Sequence, residues 1–114
     1  MKSGRCHCGA IQFSVEGEIE QVIECNCSHC RRKGLLLWFV SPTALAVSSG
    51  ISQLATYTFN QHVIQHQFCS ICGCQPFGVG RLRSGTEAAL INIRCLEGIE
   101  LENVKRVPVN GREF

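Results

Sequence analysis

Between residues 24 and 34 the chain reads ECNCSHCRRKG, which places Cys25, Cys27 and Cys30 within six residues and follows them with Arg31, Arg32 and Lys33. Thiolates are strong zinc ligands, and zinc takes four protein ligands at structural sites but three, with one exchangeable position, at catalytic ones. Three thiolates on one short turn match the open kind, where water or a substrate thiol binds and is deprotonated by the metal. Such a site is negatively charged overall. The adjacent cations offset that charge, hold the carboxylates of an acidic substrate, or form an ordinary solvated loop. Asn26 and Ser28 are candidate hydrogen-bond donors to thiolate sulfur.

A second group of thiols lies at the two sides of this one. FCSICG at 68–73 has the form of a zinc knuckle, with a glycine after the second ligand to allow the tight backbone around a metal. Cys6-His7-Cys8-Gly9 is a comparable two-ligand turn. Cys6, Cys8, Cys69 and Cys72 together make a closed four-thiolate site, which is structural in character and ties the first strand to the centre of the chain. Cys74, directly after Gly73, is expected to point away from that metal, and Cys95 to be a buried, inert thiol. Two alternatives stay open for Cys25, Cys27 and Cys30. Cys74, Cys95 or His29 completes a second structural site, or the group holds no metal and two thiols oxidise to a disulfide.

Composition decides between metal and disulfide chemistry. Nine cysteines in 114 residues is an unusual share, but the count is odd and the pairs are spaced C-x-C and C-x-x-C. The start, MKSGRCHCG, has no apolar region of the kind an export signal needs, so the expected compartment is the cytoplasm, with the chain starting at or next to Met1. A formal charge of +2, with no basic stripe interleaved with aromatics, argues against nucleic acid. The longest apolar run, LLLWFV at 35–40, is strand-sized and argues against a membrane span.

The elements that must carry these thiols read as short strands in a single domain, residues 1–114. Ala10–Glu16 alternates cleanly, with Ile11, Phe13 and Val15 on one face. Gln21–Cys25 leads into the cysteine run, and Leu35–Val40 reads as a strand buried on both faces. Pro42–Leu45 is a candidate single helical turn. Leu45–Ser48, Leu54–Phe59, His62–Phe68, Pro76–Gly80 and Ala88–Arg94 follow as strands. Asn60-Gln61 forms a hairpin turn, Arg83–Thr86 is turn-rich, and LEGIELENV after Cys95 suggests a short helical turn. No segment sustains helical periodicity over ten residues. The fold class is mostly β, small and antiparallel, with a core supplemented by metal. Trp38, Phe39, Phe68 and Phe77 are assigned to the core, His7 to the surface, and His62 and His66 to structural roles on the face shared by Ile64 and Phe68.

GRCHCGAIQFSVEG, ECNCSHCRRKG, HQFCSICGCQPFG and INIRCLEGIEL, in that order from Gly4 to about Leu101, resemble the glutathione-dependent formaldehyde-activating enzyme family, which includes centromere protein V. The resemblance implies a β-tent of stacked, zinc-stabilised antiparallel sheets. It implies a structural zinc on Cys6, Cys8, Cys69 and Cys72 and a catalytic zinc on Cys25, Cys27 and Cys30. It also implies a carbon–sulfur lyase type of activity, in which glutathione and formaldehyde interconvert with S-hydroxymethylglutathione, and for the aldehyde carbonyl of that reaction His29, inside the cysteine turn, is the candidate to polarise or protonate the oxygen. Two rivals accompany this reading: a non-catalytic binding module with two structural zincs, and a thiol redox or metal-buffering protein.

Overall fold

In the computed structural model, which describes residues 1–59, 63–82 and 84–111, alternation becomes two sheets. Ten strands follow in order: β1 (Lys2–Arg5), β2 (Gln12–Val15), β3 (Val22–Cys25), β4 (Leu37–Val40), β5 (Leu45–Ser49), β6 (Leu54–Tyr57), β7 (Ile64–Cys69), β8 (Phe77–Arg81), β9 (Glu87–Asn92) and β10 (Arg106–Val109). One α-helix, α1, spans Ser28–Lys33, and single 3-10 turns cover Pro42–Ala44, Ile51–Gln53, Ile93–Cys95 and Leu101–Asn103. The small sheet is ordered β1-β2-β5, and the large one β10-β3-β4-β9-β8-β7-β6. All pairings are antiparallel except that of β10 with β3. No helix among the described residues is long and apolar enough to cross a membrane.

Side chains of period two divide the large sheet into two apolar faces. Leu36, Trp38, Phe77, Ala89 and Ile91 pack with Ile11, Phe13 and Val15 of the small sheet in the principal core. There Phe13 and Phe77 meet edge to face, with centroids 5.4 Å apart. The intervening residues Leu35, Leu37, Ala88 and Leu90 form a second cluster with Cys30. The cysteines divide the same way: Cys6 and Cys69 belong to the principal core and Cys30 to the other face.

The structure corrects several expectations. Leu35–Val40 is buried on both faces only as far as Trp38, because Phe39 is 39% exposed on the outer face. Phe68 is half-buried rather than core. β1, α1 and β10 have no counterpart in the expected elements. β6 and β7 pair antiparallel as expected, while Asn60-Gln61, His62 and Arg83 lie outside the described residues.

Candidate metal centres and the clefts beside them

The four-cysteine group is assembled by two turns, one following a strand of each sheet. Cys6 and Cys8 follow β1, where Gly9 at φ 82° donates its N–H to Cys6 O. Cys69 ends β7, and its carbonyl accepts from Gly73, whose φ of 83° only glycine adopts without strain. Sγ of Cys6 lies 3.6 Å from that of Cys8, which lies 3.7 Å from that of Cys69, and all four sulfurs lie within 4.8 Å of one another. Tetrahedral zinc with bonds of about 2.3 Å puts its sulfurs about 3.8 Å apart, so this spacing fits zinc. It is far too long for a disulfide. Backbone N–H groups of Ile11, Ile71 and Cys72 point at Cys6 and Cys69 sulfurs at 3.4 to 3.5 Å. The amides of Cys74 and Cys8 hold the Cys72 thiol down at about 5. Against the Ala10 amide, burial and the neighbouring thiols push Cys8 up to about 11. Four thiols so disposed cannot all ionise without a cation among them.

The three-cysteine group sits on the outer face. Cys25 ends β3, Cys27 caps α1, and Cys30 lies in its first turn. The Cys27 sulfur accepts from Cys30 N at 3.3 Å, taking the place a serine or aspartate oxygen has at most helix starts. Cys25 accepts from Cys27 N at 3.4 Å. The helix ends at Gly34, left-handed at φ 66°, with its N–H on Cys30 O. The three sulfurs also lie within 4.8 Å of one another. Burial and the other two thiols drive Cys30 far up, and burial raises Cys25. Burial opposes ionisation of Cys27 as well, yet the amides and thiols around it hold it below its ordinary value. This donor set again fits a soft divalent cation.

Sequence reasoning missed a residue packed directly against this group. The parallel pairing of β10 with β3 puts Val109 opposite Cys25 and brings Gly111 down on the thiols. A β-carbon at Gly111 would collide with Cys25 Sγ and crowd Cys27 Cβ. Asn26, proposed as a donor to sulfur, sends its Nδ2 to Asn110 Oδ1 at 3.0 Å and so fastens the loop to the end of β10. Ser28 is exposed. Cys74 and Cys95 join neither group of sulfurs. Burial pushes Cys95 up to about 12, and its sulfur rests 3.8 Å from Gln75 O.

Three clefts meet around α1. The first, about 720 Å³, is lined by His29, Arg32, Lys33, Tyr57 and Phe59 among others. The second, about 500 Å³, is lined by all three cysteines together with His66 and apolar side chains. The third, also about 500 Å³, is lined by Cys25, Cys30, Arg31 and Arg94. The basic run is therefore split, with Arg31 on a thiol-bearing cleft and Arg32 and Lys33 on the other side of the helix. Lys33 is further committed: its Nζ donates to Gln75 Oε1 at 2.8 Å and lies 5.2 Å from the Phe68 ring centroid. His29 stacks in an aromatic cluster, 5.2 Å from Phe59 and 4.1 Å from His66 between centroids. Both its ring nitrogens are buried and have no partner among the described residues. Burial, with Lys33 adding, holds His29 down at about 4, and burial with His29 and Lys33 does the same to His66. Both rings are neutral at pH 7. His66, assigned a structural role from sequence, is only 6% exposed and lines the thiol cleft.

Two comparisons bear on this arrangement. Residues 1–107 match the family described as glutathione-dependent formaldehyde-activating enzyme. A protein of Rhodobacter sphaeroides, solved as a structural-genomics target, superposes with a TM-score of 0.80 at 32% identity, over 92% of this chain and 99% of the other. The chain belongs to the glutathione-dependent formaldehyde-activating enzyme family.

Proposed function

We propose that the protein interconverts a thiol and an aldehyde with their adduct, in the manner of glutathione, formaldehyde and S-hydroxymethylglutathione, at the three-cysteine group. One observation carries the reading: Cys25, Cys27 and Cys30 converge without a fourth protein ligand among the described residues, and they border open clefts on two sides. In the four-cysteine group Cys6 and Cys69 are buried in the principal core while Cys8 is exposed, and none of the four cysteines lines the three clefts around α1. When bound by the three cysteines, zinc supplies Lewis acidity and lowers a neighbouring thiol's pKa from its ordinary value of about 8.5.

The remaining work falls to the chain's own side chains. In the forward direction an S–C bond forms between the thiol sulfur and the carbonyl carbon, and the thiol's proton ends on the carbonyl oxygen. The reverse breaks that S–C bond and returns the proton. Arg31 and Arg94 line the polar cleft beside Cys25 and Cys30, where they can hold the carboxylates of an anionic thiol such as glutathione. Arg32 and Lys33, on the other side of α1, are then second-choice anchors. His29 is the proton-handling group proposed from sequence, and in this structure it meets the thiol cleft through the ring of His66.

The test is the rate of exchange between ¹³C-formaldehyde and S-hydroxymethylglutathione in the presence of free glutathione, read by exchange NMR with the zinc-loaded protein. Acceleration above the buffer rate that disappears in Cys27→Ser is the expected result. A fully metallated protein that leaves the buffer rate unchanged refutes the enzymatic reading in favour of a binding module.

A further inference from the structure

The two clefts that share the cysteines differ in chemistry. The polar one carries Arg31 and Arg94. The other is walled by Ile23, Leu37, Phe39, Ile64 and Leu90. Its one cation among the described lining residues, Arg81, pairs with Glu87 at 3.6 Å. At its rim Phe39 is 39% and Val63 52% exposed, apolar surface of a kind that marks a binding groove when it is contiguous with one. A molecule whose sulfur sits at the cysteines and whose charged groups meet Arg31 and Arg94 must send its other substituent into this apolar side.

That side is much larger than a one-carbon fragment. Water takes about 30 Å³ per molecule in the liquid, and formaldehyde is little bigger, so it would leave most of a cavity of about 500 Å³ as water against apolar walls. His66 also lines this cleft, and its imidazole is a polar group suited to a carbonyl-derived oxygen. Lys33 donates to Gln75 Oε1 at 2.8 Å, which turns the amide's Nε2 toward His66 Nδ1 at 3.2 Å. An amide N–H facing Nδ1 makes that nitrogen the acceptor, so the ring proton sits on Nε2. The cation thus fixes the tautomer of a histidine buried in the cleft wall.

We propose, resting on the reading that a substrate sulfur occupies the three-cysteine group, that the aldehyde-derived half of the substrate is an apolar chain or ring of several carbons, seated in this cleft with its oxygen on His66 Nε2–H. The cleft is the specificity pocket, and formaldehyde is a small occupant of it.

Stable thioethers test this on the zinc-loaded full chain. S-hexylglutathione should bind about tenfold or more tightly than S-methylglutathione by titration calorimetry, because its extra methylenes leave water. Its binding should shift the methyl resonances of Val63, Ile64 and Leu90. In Phe39→Glu and Val63→Glu, whose folding is checked by thermal melting, the hexyl-to-methyl ratio should collapse toward one. Equal affinities with no movement of those methyl signals overturn the proposal and leave the glutathione reading standing. If neither thioether binds but hexanal shifts the same methyl signals and formaldehyde does not, the apolar pocket stands and the glutathione reading falls.

Discussion

Cys27 serves two structures at once, since its sulfur both caps α1 and stands among the three thiols. Serine in its place keeps an acceptor for Cys30 N and so the helix start, while removing the soft thiolate that zinc prefers. His66 is defined by its neighbours in a comparable way. Burial, with His29 and Lys33, lowers its pKa from 6.5 to about 4. The ring should therefore stay neutral as pH falls through 6.5 and gain its proton only near 4, without the usual titration between. Side-chain ¹⁵N NMR checks both charge and tautomer: from pH 5 to 8 the signals should be those of an Nε2–H ring. Gln75→Leu, which removes the partner of Nδ1, should let the Nδ1–H form appear. A wild-type ring that already mixes tautomers would show that Lys33 and Gln75 do not orient it.

β10 depends on a partner distant in sequence. It pairs parallel with β3, more than eighty residues earlier, with Arg106 opposite Val22, and so carries Gly111 onto the thiols. Gly111→Ala should press on Cys25 Sγ and Cys27 Cβ and weaken metal binding at the three-cysteine group by about tenfold or more, in the range that changes beside metal ligands produce. The four-cysteine group should be untouched. Competition with a chromogenic chelator, which resolves the two zincs, measures this, and equal affinities in both proteins would remove Gly111 from the site. This residue also shows where sequence reading ends. Strands with alternating patterns were legible, as Ile11, Phe13 and Val15 show, and so were thiols grouped within a few residues. β1 (KSGR) lacks that alternation, and β10 (RVPV), though it alternates, is four residues long with a proline inside it, so the place of both comes from pairing. α1 is too short for a periodic signal, being set by a cysteine cap and Gly34. The aromatic stack on His29 escaped for a related reason: Tyr57, Phe59 and His66 meet it only once β6 and β7 pair beside the cysteine helix.

The large sheet separates the two cysteine groups by face, and this gives them different consequences for the molecule. The four-cysteine group joins the turn after β1 of the small sheet to the end of β7 in the large one, with Cys6 and Cys69 in the principal core. The three-cysteine group is local, drawn from the end of β3 and from α1. Structural zinc contributes on the order of 10 kcal/mol or more in small domains, comparable to the entire stability of a chain this size. Cys69→Ser should therefore leave a protein with no cooperative thermal transition, whereas Cys27→Ser should melt within a few degrees of wild type with one zinc retained. Chelation should follow the same order. A graded series of chelator should strip one zinc with near-native circular dichroism, and the second only as the fold is lost, because an open three-ligand site releases metal more readily than a closed four-ligand one. Native mass spectrometry alongside circular dichroism reads both quantities from the same samples. If both zincs leave together, or both cysteine variants unfold alike, the division into a structural and an open metal centre is wrong.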